Sequence, residues 1–179
     1  MKLLRTIRLD PSDTFIFERA AEPGEWAVPG AFAFAQTDLA ALEGRTRAAF
    51  RSGFLGIGSL GWSTLVQVVD ASEEDRAAAV ELLALRLVEH FGAPDLAAAR
   101  PAAEEEVAFA SSLSNHPRGM LAAVSRKYED GAIREAFRTL TPGVGLQPAR
   151  AYAFLEVVGE DDAPEEHVDL LTLGNGDRR

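Results

Sequence analysis

The chain has 179 residues, 47% of them hydrophobic and 26% charged, which suits one globular domain whose core stands without crosslinks. Cysteine is absent, so disulfides, thiolate metal sites, iron–sulfur ligation and cysteine nucleophiles are excluded. With 18 Lys+Arg against 28 Asp+Glu, the net charge of −10 repels nucleic-acid phosphates and anionic lipid, and neither nucleic acid nor a membrane is an expected partner.

Residues 1–8 carry Lys2, Arg5 and Arg8 around Leu3, Leu4 and Ile7, too short and too interrupted for the apolar region of a signal peptide. They predict a strand. The longest nearly uncharged stretch, residues 52–69, is broken by Gly53, Gly56, Gly58 and Gly61, unlike the run of about 20 apolar residues that spans a bilayer. A cytoplasmic location is the simplest expectation. After the strand, Asp10-Pro11-Ser12-Asp13 reads as a turn and Phe15-Ile16-Phe17 as a second strand. Glu22-Pro23-Gly24 precedes a strand at Trp26-Ala27-Val28, and Pro29-Gly30 marks an edge position or a bulge before a strand at residues 31–34. Thr37 or Asp38 then caps a helix to about Phe50, with Gly44 in its middle. Beyond the glycine-punctuated connection, residues 62–70 form a largely buried strand.

The clearest element is a helix over residues 73–91, with Ser72 as its N-cap and Glu73, Glu74 and Asp75 in its first turn, where acidic side chains favour the helix dipole. Val80, Leu83, Leu87 and Phe91 recur at helical spacing, and Gly92 followed by Pro94 ends it. Pro101 fits the first turn of the next helix, which puts Glu104, Glu105 and Glu106 near its positive end; Asn115, His116, Pro117 and Gly119 stop it. Residues 120–128 read as a strand and Glu129-Asp130-Gly131 as a turn. Residues 132–140 stay open, because Ile133, Ala136, Phe137 and Leu140 suit a helix whereas the Asp-Gly turn suits a hairpin. A loop at Thr141-Pro142-Gly143, a last strand over residues 151–158, an acidic run at 160–166, an apolar patch at 168–173 and a mobile end at 174–179 complete the chain. Strands cluster at both ends and helices in the middle, which predicts an α+β domain: a largely antiparallel sheet with helices grouped on one face.

Gly56-Ile57-Gly58-Ser59-Leu60-Gly61 matches the glycine pattern of dinucleotide-binding loops, but that loop needs a strand before it and a helix after it. Here the expected order is reversed, so the glycines are expected to serve a bulged connection, and no cofactor is predicted. His90, His116 and His167 show no metal-ligand spacing, and no metal is predicted. Ser59 lacks the first glycine of a nucleophile elbow. What remains is local basicity in an acidic chain: His116, Arg118, Arg126, Lys127, Arg134 and Arg138 outnumber Glu129, Asp130 and Glu135 in the same stretch. Guanidinium groups hold carboxylates and phosphates, so this segment is a candidate anion pocket or docking surface, with ordinary surface ion pairs as the alternative.

Four segments together carry a resemblance. They are residues 3–13 (Leu-Leu-Arg-Thr-Ile-Arg-Leu-Asp-Pro-Ser-Asp), Phe91-Gly92-Ala93-Pro94-Asp95, residues 99–106 (Ala-Arg-Pro-Ala-Ala-Glu-Glu-Glu) and residues 137–142 (Phe-Arg-Thr-Leu-Thr-Pro). Over nearly the whole chain the sequence resembles a family of uncharacterised bacterial proteins defined only as a domain of unknown function. The resemblance implies an accessory role in assembly or maturation of redox metalloenzymes and supplies no catalytic residues. Two functions are therefore carried forward. One is a non-catalytic cytoplasmic accessory or binding protein with a protein partner; the other is an anionic small-molecule binder or enzyme that uses the basic segment 116–138. A homodimer hiding the edge near Pro29 is a third arrangement.

Overall fold

A computed structural model describes residues 1–142 and 155–157. The expectations for residues 151–154 and 158, the acidic run at 160–166, the apolar patch and the chain end lie outside the described residues. Among the described residues, eight strands form one sheet in the order β4-β3-β2-β1-β5-β6-β7-β8, every neighbouring pair antiparallel. The strands are β1 (Lys2–Ile7), β2 (Trp26–Val28), β3 (Phe54–Gly56), β4 (Trp62–Ser63), β5 (Leu65–Asp70), β6 (Leu121–Glu129), β7 (Ala132–Pro142) and β8 (Leu155–Val157). With the helices gathered on one face of this curled sheet, the fold is α+β, as the sequence predicts.

Period-two alternation sets the face that meets the helices. Leu4 lies opposite Val68, Val66 opposite Ala122, and Val124 opposite Phe137, and all of these are buried. Helices α3 (Glu73–His90) and α4 (Leu96–Leu113) cover them with Val80, Leu83, Val107 and Leu113, while buried Ala99, Ala103 and Ala110 let α4 approach closely. A second cluster, Phe17, Phe34, Ala49 and Phe50, lies under α2 (Gly44–Ser52), with Ile133 and Trp62 packed against it.

The start of α3 is as expected: the Ser72 hydroxyl accepts from Asp75 N, and the Asp75 carboxylate accepts from Ser72 N, a reciprocal capping box. Five expectations are corrected. Residues 15–17 are not a strand, because α1 (Ser12–Ile16) forms there; the Asp13 carboxylate accepts from both the backbone N–H and the hydroxyl of Thr64 and pins this turn to the sheet. Residues 31–34 form a 3-10 turn that carries Phe34 into the second core. The helix expected from Asp38 is split into a 3-10 turn at Leu39–Ala41, which Asp38 caps, and α2; Gly44 sits at the join with φ 56°. The strand expected over 62–70 breaks at Thr64 into β4 and β5, which lie at different places in the sheet.

The fifth correction concerns α4, which begins at Leu96 and places Pro101 in the sixth position instead of the first turn. Asp95 caps it, accepting from Ala98 N at 2.8 Å, and burial of Ala99 offsets the hydrogen bond that a proline cannot donate. Glu104 and Glu106 therefore lie in mid-helix, where the dipole gives them no support. Glu104 pairs with Arg76 of α3, and Glu106 points inward. The open question at 132–140 resolves as strand β7, joined to β6 by a two-residue turn with φ 52° at Asp130 and 77° at Gly131, which matches the twist of the paired strands.

Candidate functional site

The glycine pattern at residues 56–61 forms the tight connection between β3 and β4, and an internal anion already fills it. Glu25, just before β2, accepts from Glu22 N through Oε1 (2.7 Å) and from Ser59 N through Oε2 (2.9 Å). A Cβ on Gly56 would stand 2.6 Å from that second oxygen, and one on Gly61 would overlap the Ala20 carbonyl. The glycines are needed for close approach to this chain's own carboxylate and backbone; the connection joins two strands, β3 and β4, where a helix and a strand were expected, and no helix follows it.

The residues of the basic segment do not converge. Arg118, in the turn before β6, is 75% exposed and pairs with Asp70 at 3.5 Å; the His116 carbonyl accepts from Lys2 Nζ. Arg126 and Lys127 lie toward the other end of β6, and Arg126 is about 17 Å along the strand from its first residue, Leu121, at the ordinary rise. Arg134 sits opposite Lys127 in register, and exposed Arg138 sits opposite Ala123.

Arg126 is 1% exposed. Its Nε donates to Glu135 at 2.6 Å, its Nη1 to the carbonyls of Phe50 (3.1 Å) and Gly53 (2.7 Å), and its Nη2 to the Pro29 carbonyl. Glu106 accepts from Gly30 N at 2.9 Å and adds a second negative charge near the guanidinium. Burial raises the Glu106 carboxyl above its ordinary value, with the Gly30 N–H opposing the rise. Burial also pushes Arg126 down, opposed by Glu135 and Glu106; it stays a cation because arginine starts so far above neutrality. One guanidinium thus satisfies the end of α2, the turn before the first 3-10 helix and the Glu135 carboxylate, with the charge of Glu106 nearby. Its donors are engaged inside the protein, and it acts as a structural clamp.

Next to this clamp a groove of about 590 Å³ opens between the α2 region and β6. Leu39, Leu42, Arg47 and Arg51 form one wall, and Lys127, Tyr128 and Glu129 form the other, so one carboxylate stands among the groove's cations. Buried Phe50 and Arg126 lie at its base. Arg47 and Arg51 are one helical turn apart and exposed, and among the described residues no carboxylate pairs with either. Lys127 comes into this groove from the predicted segment; Arg47 and Arg51 were not among the residues it singled out. The signal was present as Arg45-Thr46-Arg47 followed by Arg51, basic residues at helical spacing, but it meets Lys127 only through pairing of distant elements. No group of three His, Cys, Asp or Glu that could hold a metal occurs among the described residues, and none of their helices is long and apolar enough to cross a membrane.

The fold and site define an α+β protein with a curled antiparallel sheet and a basic groove at the hairpin end of that sheet. Residues 1–151 match the family of unknown function DUF6505, and the chain belongs to that family. No curated protein and no solved structure matches the chain.

Proposed function

We propose that this protein is a non-catalytic binding protein that receives an acidic segment of a partner protein in the groove between α2 and β6. The observation that carries this reading is the gathering of Arg47, Arg51 and Lys127 around one concavity in a chain of net charge −10. Two exposed like charges at i,i+4 repel each other, and with no carboxylate pairing them among the described residues they are ready to take an anion. Tyr128, 45% exposed, and the apolar side chains of Leu39 and Leu42 give the same groove an aromatic and aliphatic surface suited to the side chains of a peptide. A groove open to the surface accommodates an extended segment without closure around it. A cytoplasmic accessory role, including maturation of a redox metalloenzyme as the family resemblance implies, is compatible with such a docking function.

The test is a backbone-amide NMR titration with a hexaglutamate peptide and, separately, with inorganic pyrophosphate. Shifts at residues 39–51 and 126–129 with the peptide, abolished in Arg47→Glu/Arg51→Glu, are the expected result. Response to pyrophosphate alone would replace the peptide partner with a small anionic ligand, and no response to either would overturn the reading.

A further inference from the structure

A second concavity, of about 390 Å³, lies on the side of α2 turned away from the groove: Arg45, Thr46 and Ala49 line it, whereas Arg47, Phe50 and Arg51 line the groove. Four elements meet there. Residues 18–20 run beside β4, held by hydrogen bonds from Trp62 N to the Arg19 carbonyl and from Ala21 N to the Trp62 carbonyl, both 2.9 Å, and they bring Glu18 and Arg19. The 3-10 turn at residues 31–34 brings Phe34, and the β3–β4 turn brings Leu60 and Trp62. Phe34 and Trp62 stack with ring centroids 5.1 Å apart, which makes this wall aromatic. Leu60 is held at φ 57°, the left-handed conformation that glycine adopts freely, yet none of the three glycines of the same turn takes it. What a strained leucine supplies there is its side chain, which packs against the core and walls the concavity.

Charges of both signs stand around this aromatic wall. Arg19 is exposed and gives Nη1 to the Ser59 carbonyl at 3.1 Å, which fixes its place at the rim. Arg45 and Glu18 are also exposed, and among the described residues neither has an ion-pair partner. A plain anion drawn to the two guanidinium groups meets repulsion from Glu18, and a plain amine drawn to Glu18 meets repulsion from the arginines. A zwitterion satisfies both, and a free α-amino acid carries its carboxylate and ammonium on one carbon with the side chain projecting away from them. An aromatic side chain matches the Phe34–Trp62 wall and Leu60. The volume is at the small end for ligand sites and suits one amino acid. The interior of a peptide chain lacks both charges.

We infer that this concavity binds a free aromatic α-amino acid, with the carboxylate on Arg45 and Arg19, the ammonium on Glu18 and the ring against Phe34, Trp62 and Leu60. The site is separate from the groove between α2 and β6 and stands or falls without the peptide reading. Its ion pairs are exposed at the rim, so binding is weak and reversible, and salt weakens it further.

The test is an NMR titration of the full-length protein with L-phenylalanine, phenylpropionate and phenethylamine, the last two each lacking one of the charges. Expected with L-phenylalanine are saturable shifts at residues 18–20 and 60–62 and at the Trp62 indole N–H, with affinity lower by about fivefold for each analogue. Arg45→Gln and Glu18→Gln should each weaken L-phenylalanine by about the same factor, and both positions are exposed, so both variants fold. Arg47→Gln, on the other side of α2, should leave its affinity unchanged. Absence of saturable shifts at these residues overturns the inference. Equal affinity for phenylpropionate would make the site a simple anion site and overturns the amino-acid class, and an equal loss in Arg47→Gln would reduce the effect to general charge and overturns the assignment of Arg45.

Discussion

Arg126 and Glu25 solve the same problem with opposite charges. Glu25 is an anion that takes up the N–H groups of Glu22 and Ser59 where β3 turns into β4, and Arg126 is a cation that takes up the carbonyls of Phe50, Gly53 and Pro29 where α2 meets the sheet. They differ in depth. Glu25 is half-buried, with solvent beside it, whereas Arg126 is enclosed with Glu135 and Glu106. The difference teaches that a charge in this fold becomes indispensable when its partners are buried with it, because removing it leaves them unpaired in a dry interior.

The largest effect is expected at Arg126. Arg126→Ala should cost about 3–5 kcal/mol of unfolding free energy in a denaturant titration, since the Glu135 carboxylate and three carbonyls lose their donor. Arg126→Lys should cost less but remain destabilising, since an ammonium keeps the charge and lacks the planar fork. An Arg126→Ala variant as stable as the wild type would mean the clamp is idle. Glu25→Ala should cost about 1–3 kcal/mol in the same measurement, from one side chain's hydrogen bonds at a half-buried turn. If it costs more than Arg126→Ala, depth is not what separates the two sites.

A pH series sharpens the buried side of the comparison. Burial holds Glu106 above its ordinary value, so the folded chain binds that proton more tightly than the unfolded chain does. The stability it contributes is complete below the ordinary glutamate value and is lost as pH rises through the raised one. The stability of Glu106→Gln minus that of the wild type should therefore grow with pH across this window, and a flat difference would refute the assignment. The smallest stability effect belongs to the groove: Arg47→Glu/Arg51→Glu should stay within about 0.5 kcal/mol of the wild type, as exposed substitutions do, while abolishing the response to the acidic peptide.

These contrasts also show what the sequence makes legible. Ser72 and the acids after it mark the start of α3 because the capping box is local, complete within four residues. Asp130-Gly131 marks a turn for the same reason, but only pairing with β6 makes the residues after it a strand. Pro101 misleads because its ordinary first-turn place is overridden by the Asp95 cap and the burial of Ala99. Of the basic segment, only Arg126 and Lys127 lie at the groove, and adjacent positions in a strand separate a buried clamp from a groove wall.

The sequence by itself determined the α+β class, the ends of α3, the β6–β7 turn and the mismatch of the glycine pattern with a dinucleotide site, since each rests on neighbours within a few residues. Only the tertiary structure decided that Glu25 fills the glycine loop, that Arg126 is a clamp, and that Arg47, Arg51 and Lys127 line one groove. These depend on pairing partners 34 to 97 positions apart in the chain, and it is the order of strands in the sheet that brings them within reach.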